Sequence, residues 1–211
     1  KLSSYVRHSI EEDNALVWMA QREGRAKDGV DKTDPTIIKM LSMSQNRKKE
    51  TFSDLVNALS FVPVSISYEL DPCDEAKAQE LYAKAETGGY EKDEHEDIAS
   101  IAAGIVGDKG RVHIAFGDVL AGEFSSPEQV AEKIDQAILG SYQLFPTSAY
   151  AWEMLYGEMP AEGKKMKLSA EGRANFEQRI QAMPEVCRAY ALRMYANAIT
   201  SKRNSDLSES A

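Results

Sequence analysis

Ala15-Leu-Val-Trp-Met-Ala20 runs straight into Gln21-Arg-Glu-Gly-Arg-Ala-Lys-Asp-Gly29. An unbroken apolar run of this length suits a strand buried on both faces. The basic stretch is then the exit of that strand. Cations packed this densely need an anion or an acidic partner. Gly24 lets the backbone approach a ligand closely, and Gly29 permits a tight turn. Arg25 can grip a phosphate with two parallel donors, and Lys27 adds a point charge. The carboxyl end of a strand in an α/β sheet is where ligands usually bind. The plainer alternative is a solvated turn, with ion pairs to Glu23 and Asp28.

Two further segments have strand patterns. Residues 61–68, Phe-Val-Pro-Val-Ser-Ile-Ser-Tyr, alternate Val62, Val64, Ile66 and Tyr68 with smaller or polar residues. Residues 111–117 alternate Val112, Ile114 and Phe116. Such alternation predicts a sheet with one drier face, and Pro63 must sit where no ladder donor is needed. Helical patterns separate the strands. Residues 2–12 are amphipathic. Asp34-Pro35 and Asp71-Pro72 are start signals, a short helix is expected at 51–59, and Ser126-Pro-Glu-Gln129 is a capping box. Ile98, Ile101, Ala102 and Ile105 have helical spacing. Residues 157–168 read as a loop, followed by helices near 169–182 and 184–201. Strands alternating with helices predict an α/β fold with a mostly parallel or mixed sheet flanked by helices. The expected domains are 1–156, a helical extension over 157–203 and a tail over 204–211. Three strands are few for this length, so the α/β domain is expected to be incomplete at its N-terminus.

Lys+Arg 25 against Asp+Glu 34 gives a net charge of −9. That excludes non-specific nucleic-acid binding, which needs a basic face. Cys73 and Cys187 match no metal-ligand spacing and read as reduced structural cysteines of a cytoplasmic protein. No apolar run is long enough to span a bilayer, so any membrane contact is expected to be peripheral.

The block around Arg25 resembles the third conserved block of glycerol-3-phosphate and 1-acylglycerol-3-phosphate acyltransferases. There a strand leads into roughly Glu-Gly-x-Arg-Ser-Arg/Lys-x-Gly, which grips the phosphate of the acceptor. Arg25, Ala26, Lys27 and Gly29 match Arg, Ser, Arg/Lys and Gly. One residue is missing between Gly24 and Arg25, so an ungapped match sets Arg22 on the family's Glu. Phe61-Val-Pro-Val-Ser-Ile-Ser-Tyr68 resembles the fourth block, in which Pro63 and its strand would support the pocket. Gly110-Arg-Val-His-Ile-Ala-Phe-Gly117 resembles a later strand of the same domain. The three come in the family's order and cover roughly residues 1–125.

The resemblance implies an acyltransferase of phospholipid synthesis. The donor would be an acyl thioester, acyl-CoA or acyl carrier protein, and the acceptor glycerol 3-phosphate or a lysophosphatidate-like molecule. Arg22, Glu23, Gly24, Arg25 and Lys27 would bind the acceptor. No metal or resident cofactor is implied. The family's general base is the His of a His-x4-Asp block, expected upstream of Lys1. His8 and Asp13 have that spacing and are read as a decoy. They stand too close to the basic block, and residues five apart on a regular helix project about 140° apart. The alternatives are a non-catalytic phosphate-ligand or partner-binding module, and an unrelated α/β enzyme for small phosphorylated metabolites. Asp93-Glu-His-Glu-Asp97 reads as an acidic helix N-terminus. His113 reads as a solvent-facing or hydrogen-bonded strand residue. Gly163-Lys-Lys-Met-Lys-Leu168 with Arg173 is a basic patch that suits anionic headgroups, the phosphates of CoA or an acidic carrier protein.

Overall fold

Asp34 and Pro35 start a helix as that pair of residues demands. Asp34 accepts the Thr36 N–H at 2.8 Å, and Pro35 takes the first position, where no donor is missed. This helix, α2 (Pro35–Ser42), belongs to a computed structural model that describes residues 1–22, 26–91 and 95–209. The other helices are α1 (Leu2–Glu11), α3 (Phe52–Leu59), α4 (Asp74–Thr87), α5 (Glu96–Val106), α6 (Pro127–Ser141), α7 (Pro146–Tyr156), α8 (Ala170–Ala182) and α9 (Glu185–Glu209). The strands are β1 (Val64–Tyr68) and β2 (Val112–Phe116). A short 3-10 turn, Gly163–Lys165, sits within the expected loop. None of the described helices is long and apolar enough to cross a membrane.

Two compact units divide the described chain. One holds residues 1–22, 31–65 and 114–142, and the other 26–30, 66–113 and 143–209. In the first, Val6, Leu41, Leu55 and Leu59 form one apolar cluster, and Ile38, Val56 and Val130 form another. Thr51 and Asp54 close a reciprocal capping box on α3, at 3.1 and 2.8 Å. Ser126 caps α6 through the Gln129 N–H at 3.2 Å. Arg7 on α1 forks onto Glu50 at 2.6 and 2.8 Å. In the second unit, α9 packs against α7 and α4. Ala78, Ala151, Ala191 and Ala196 allow close approach around Tyr150, Phe176, Ile180 and Tyr195.

The α/β architecture expected from the sequence is not the one observed. The described residues are 57% helix, and their strands form only a two-stranded antiparallel ribbon. Residues 15–20 form no strand and are exposed throughout, with Leu16 and Trp18 at 103% and 71%. An apolar run without period names no conformation by itself, and a strand exists only where a neighbour takes its N–H and C=O groups. The segments at 61–68 and 111–117 do form strands, shortened, and they pair with each other.

Their faces are also reversed from expectation. Glu69 N–H bonds the Arg111 carbonyl at 2.9 Å, and Gly117 N–H bonds the Pro63 carbonyl at 2.8 Å. This register sets Ser67 opposite His113 and Ser65 opposite Ala115. Ser65 and Ser67 are the buried residues of β1, whereas Val112, Ile114 and Phe116 are exposed on β2. The small inward serine permits a close neighbour: the Gln143 N–H, just before α7, bonds the Ser67 hydroxyl at 3.0 Å. Thr147 on α7 donates to the Glu69 carbonyl at 2.7 Å.

Candidate functional site

The basic turn is fixed at its downstream end. Gly29 has φ +75°, and a Cβ there would lie 2.1 Å from the Met194 carbonyl oxygen of α9. Only glycine fits such a conformation and such a contact together. Asn197, also on α9, donates to the Asp28 carbonyl at 2.8 Å, and the Asp28 carboxylate accepts the Val30 N–H at 3.0 Å. Asp28 and Gly29 are therefore held against α9 through their backbone groups.

Lys27 has the acidic partner that a dense cation cluster requires, and it is Glu80 on α4. Lys84, one turn further along α4, bonds the other oxygen of the same carboxylate at 2.7 Å. The Glu80 side chain is 5% exposed, against 24% for Lys27 and 50% for Lys84. Burial disfavours the charged carboxylate. The hydrogen bonds from Lys27 and Lys84 outweigh that cost and hold Glu80 below the usual glutamate range. Neither Glu80 nor Lys84 stands out in the sequence. The one available signal was that Glu80 and Lys84 sit four apart on a helix, the favourable order for an ion pair.

Arg22 lies in the other unit, half-buried. Next to it, the Gln21 carbonyl accepts the Asp34 N–H at 2.8 Å. The Asp34 carboxyl is lowered chiefly by the Thr36 backbone N–H, then by the Thr36 hydroxyl, with a smaller contribution from the Arg22 charge. Glu23, Gly24 and Arg25 lie outside the described residues. No strand delivers the basic turn, contrary to expectation. Pro63 is buried just before β1, and its carbonyl serves as an acceptor for Gly117. Two segments of the proposed resemblance, around Pro63 and Gly117, thus lie side by side.

His8 and Asp13 are 3.8 Å apart, and their side chains are 62% and 56% exposed. That separation is beyond hydrogen-bond range. The helical-angle argument against the pair does not apply, because α1 ends at Glu11 and Asp13 folds back, its N–H reaching the His8 carbonyl at 3.3 Å. What separates the two side chains is distance and solvent. His113 is half-buried rather than solvent-facing, and its Nδ1 is enclosed without a hydrogen-bond partner. Glu96 and Asp97 occupy the first turn of α5, as expected of an acidic helix start, while Asp93 and Glu94 lie outside the described residues. In the basic patch, Arg173 pairs with Glu153 and with Glu177, the latter at 2.7 Å.

A buried polar cluster escaped the sequence altogether. Arg179 on α8 forks onto Asp74 at 2.7 and 2.9 Å, and Tyr195 on α9 donates to Asp74 at 2.6 Å. The Tyr195 oxygen in turn accepts the Asp71 N–H at 3.0 Å. Burial, reinforced by the Asp74 charge, pushes the Tyr195 phenol far above its ordinary range. Each of these groups is satisfied by protein, so the cluster acts as a bolt between helices. Comparison of the chain with protein-family models, curated proteins and solved structures returned no match.

Proposed function

We propose that this chain serves in the transfer of a fatty acyl group from an acyl thioester to the hydroxyl of glycerol 3-phosphate or a lysophosphatidate-like acceptor. The observation that carries this reading is the fixed turn at residues 26–30. It holds Lys27, a member of the phosphate-gripping block in the resemblance, at a defined place on α4 and α9. A solvated turn needs no buried counter-ion and no glycine wedged against a neighbouring carbonyl. In the reaction, a His base takes the proton of the acceptor hydroxyl, and the oxygen attacks the thioester carbonyl. The tetrahedral intermediate collapses and expels the thiolate, which takes up a proton. Arg25 and Lys27 hold the acceptor's phosphate. The donor is acyl-CoA or acyl carrier protein, and the lipid product brings a membrane surface in as a partner.

The alternative is a non-catalytic phosphate-ligand module. Lys27 favours it, because its fixed place against Glu80 serves phosphate binding whether or not a base acts beside it. Acyl transfer to glycerol 3-phosphate by the full-length enzyme, over a concentration series, separates the two. Arg25→Ala is expected to lower kcat/KM by the equivalent of roughly 2–4 kcal/mol, with Arg25→Lys in between, since lysine restores charge without the fork. Wild-type rates and saturation in a well-folded Arg25→Ala protein would remove Arg25 and the acyltransferase reading with it. Phosphate-dependent binding without turnover would support the alternative.

A further inference from the structure

Glu80 is neutralised twice. One buried carboxylate receives Lys27 on Oε2 and Lys84 on Oε1, which leaves the trio with a net charge of +1. One cation is enough to balance a carboxylate. Lys27 already lies on one oxygen of this buried carboxylate, so the second ammonium is more than charge balance requires. An ammonium has three donors, and the contact with Glu80 uses one. The Lys84 side chain is half exposed.

We propose that Lys84 is a second cation of the phosphate site, acting beside Lys27 across the shared carboxylate of Glu80. The ligand class is a phosphate monoester, and the inference rests on the phosphate reading of Lys27 above. Glu80 has two roles here. It fixes both ammonium groups at the two ends of one rigid carboxylate. It also moderates their charge, so that an anion binds and still leaves. Removing Lys84 leaves a neutral Lys27–Glu80 pair, and removing the charge of Glu80 leaves a dication. The two changes therefore act on anion affinity with opposite signs. Loss of a merely structural contact would weaken binding in both.

Calorimetric titration of the full chain with glycerol 3-phosphate tests this, with glycerol as the uncharged control and thermal unfolding of each variant alongside. Lys84→Ala is expected to weaken binding about three- to tenfold, the size of one partly exposed charge-assisted contact. Lys84→Arg retains affinity, and Glu80→Gln tightens it. Lys84 is half exposed, so its variants keep the fold even if Glu80→Gln does not. Unchanged affinity in Lys84→Ala, with binding still lost in Arg25→Ala, would overturn the role of Lys84 alone. Equal weakening in Lys84→Ala and Glu80→Gln would also overturn it, as a structural effect. Failure of the wild-type chain to bind glycerol 3-phosphate saturably would overturn the phosphate reading itself.

Discussion

Asp74 shows what a single carboxylate does when it is nearly out of water. Its side chain is 4% exposed, and it carries the Arg179 fork and the Tyr195 hydroxyl. Such a group is costly unless every lone pair is used, and deleting one partner leaves a desolvated charge whose cost exceeds the net stabilisation from the bond itself. Tyr195→Phe strips a bond from Asp74 and the acceptor from the Asp71 N–H, so a loss of about 1–3 kcal/mol is expected. Asp74→Ala strands the Arg179 guanidinium and should cost more, about 2–4 kcal/mol, somewhat below the value for a wholly buried pair. Urea unfolding checks both, and losses below about 0.5 kcal/mol would mean that the cluster is not the bolt described. This cluster was not legible in the sequence. Its members come from three helices, and no local pattern marks an Asp that will meet an Arg 105 positions away. Lys27 was legible as a cation in need of a partner. Glu80 was hidden in an ordinary helical face.

At the scale of elements, local chemistry was readable and pairing was not. Asp34-Pro35 and Ser126-Pro127 mark their helices because capping is settled within a few residues. Pro146 opens α7 with no capping side chain before it, and an aromatic-rich helix with little periodicity gave no pattern to follow it. The ribbon failed in a different way. Alternation at 61–68 and 111–117 fixes which residues share a face, but the neighbours decide which face is inward. Ser65 and Ser67 took the inside, the latter with the Gln143 N–H against it, and Val112, Ile114 and Phe116 were left out. Gly29 belongs to this scale as well, because it lets the basic turn close on α9. Gly29→Ala forces a Cβ into the Met194 carbonyl at a φ that alanine resists. A loss of about 1–3 kcal/mol is expected, together with weaker glycerol 3-phosphate binding as Lys27 shifts. Unaltered melting and unaltered binding in that variant would show that the turn is not clamped.

The whole molecule carries a net charge of −9, so its response to acid depends on which carboxylates are held ionised by the fold. Arg7 holds Glu50 below its ordinary value of 4.5, Arg111 holds Glu69 there and Arg203 holds Glu162. Glu80 is lowered too, since Lys27 and Lys84 outweigh its burial. A carboxyl that is more acidic in the folded chain than in the unfolded one stabilises the fold above the unfolded value. That stabilisation is lost as pH falls through the folded value. Stability should therefore be level with respect to these groups from neutral pH to about 5, and decline below about 4.5. Glu80→Gln isolates one share of the decline. At pH 7 the variant lacks a charge that the two lysines stabilise, and it should unfold at lower urea than the wild type. Below about 4.5 the unfolded chain takes up this proton before the folded one does, so the gap should narrow as pH falls. Trp152 can report this, because it lies in the unit that contains Glu80, with the Arg203 guanidinium 4.6 Å from its ring centre. The chain's only other tryptophan, Trp18, is 71% exposed and changes surroundings less on unfolding. A urea series followed by tryptophan fluorescence between pH 3 and 7 gives the gap directly. A gap that stays constant or widens in acid would show that Glu80 is not held ionised by Lys27 and Lys84, and would remove the charge balance on which the role of Lys84 depends.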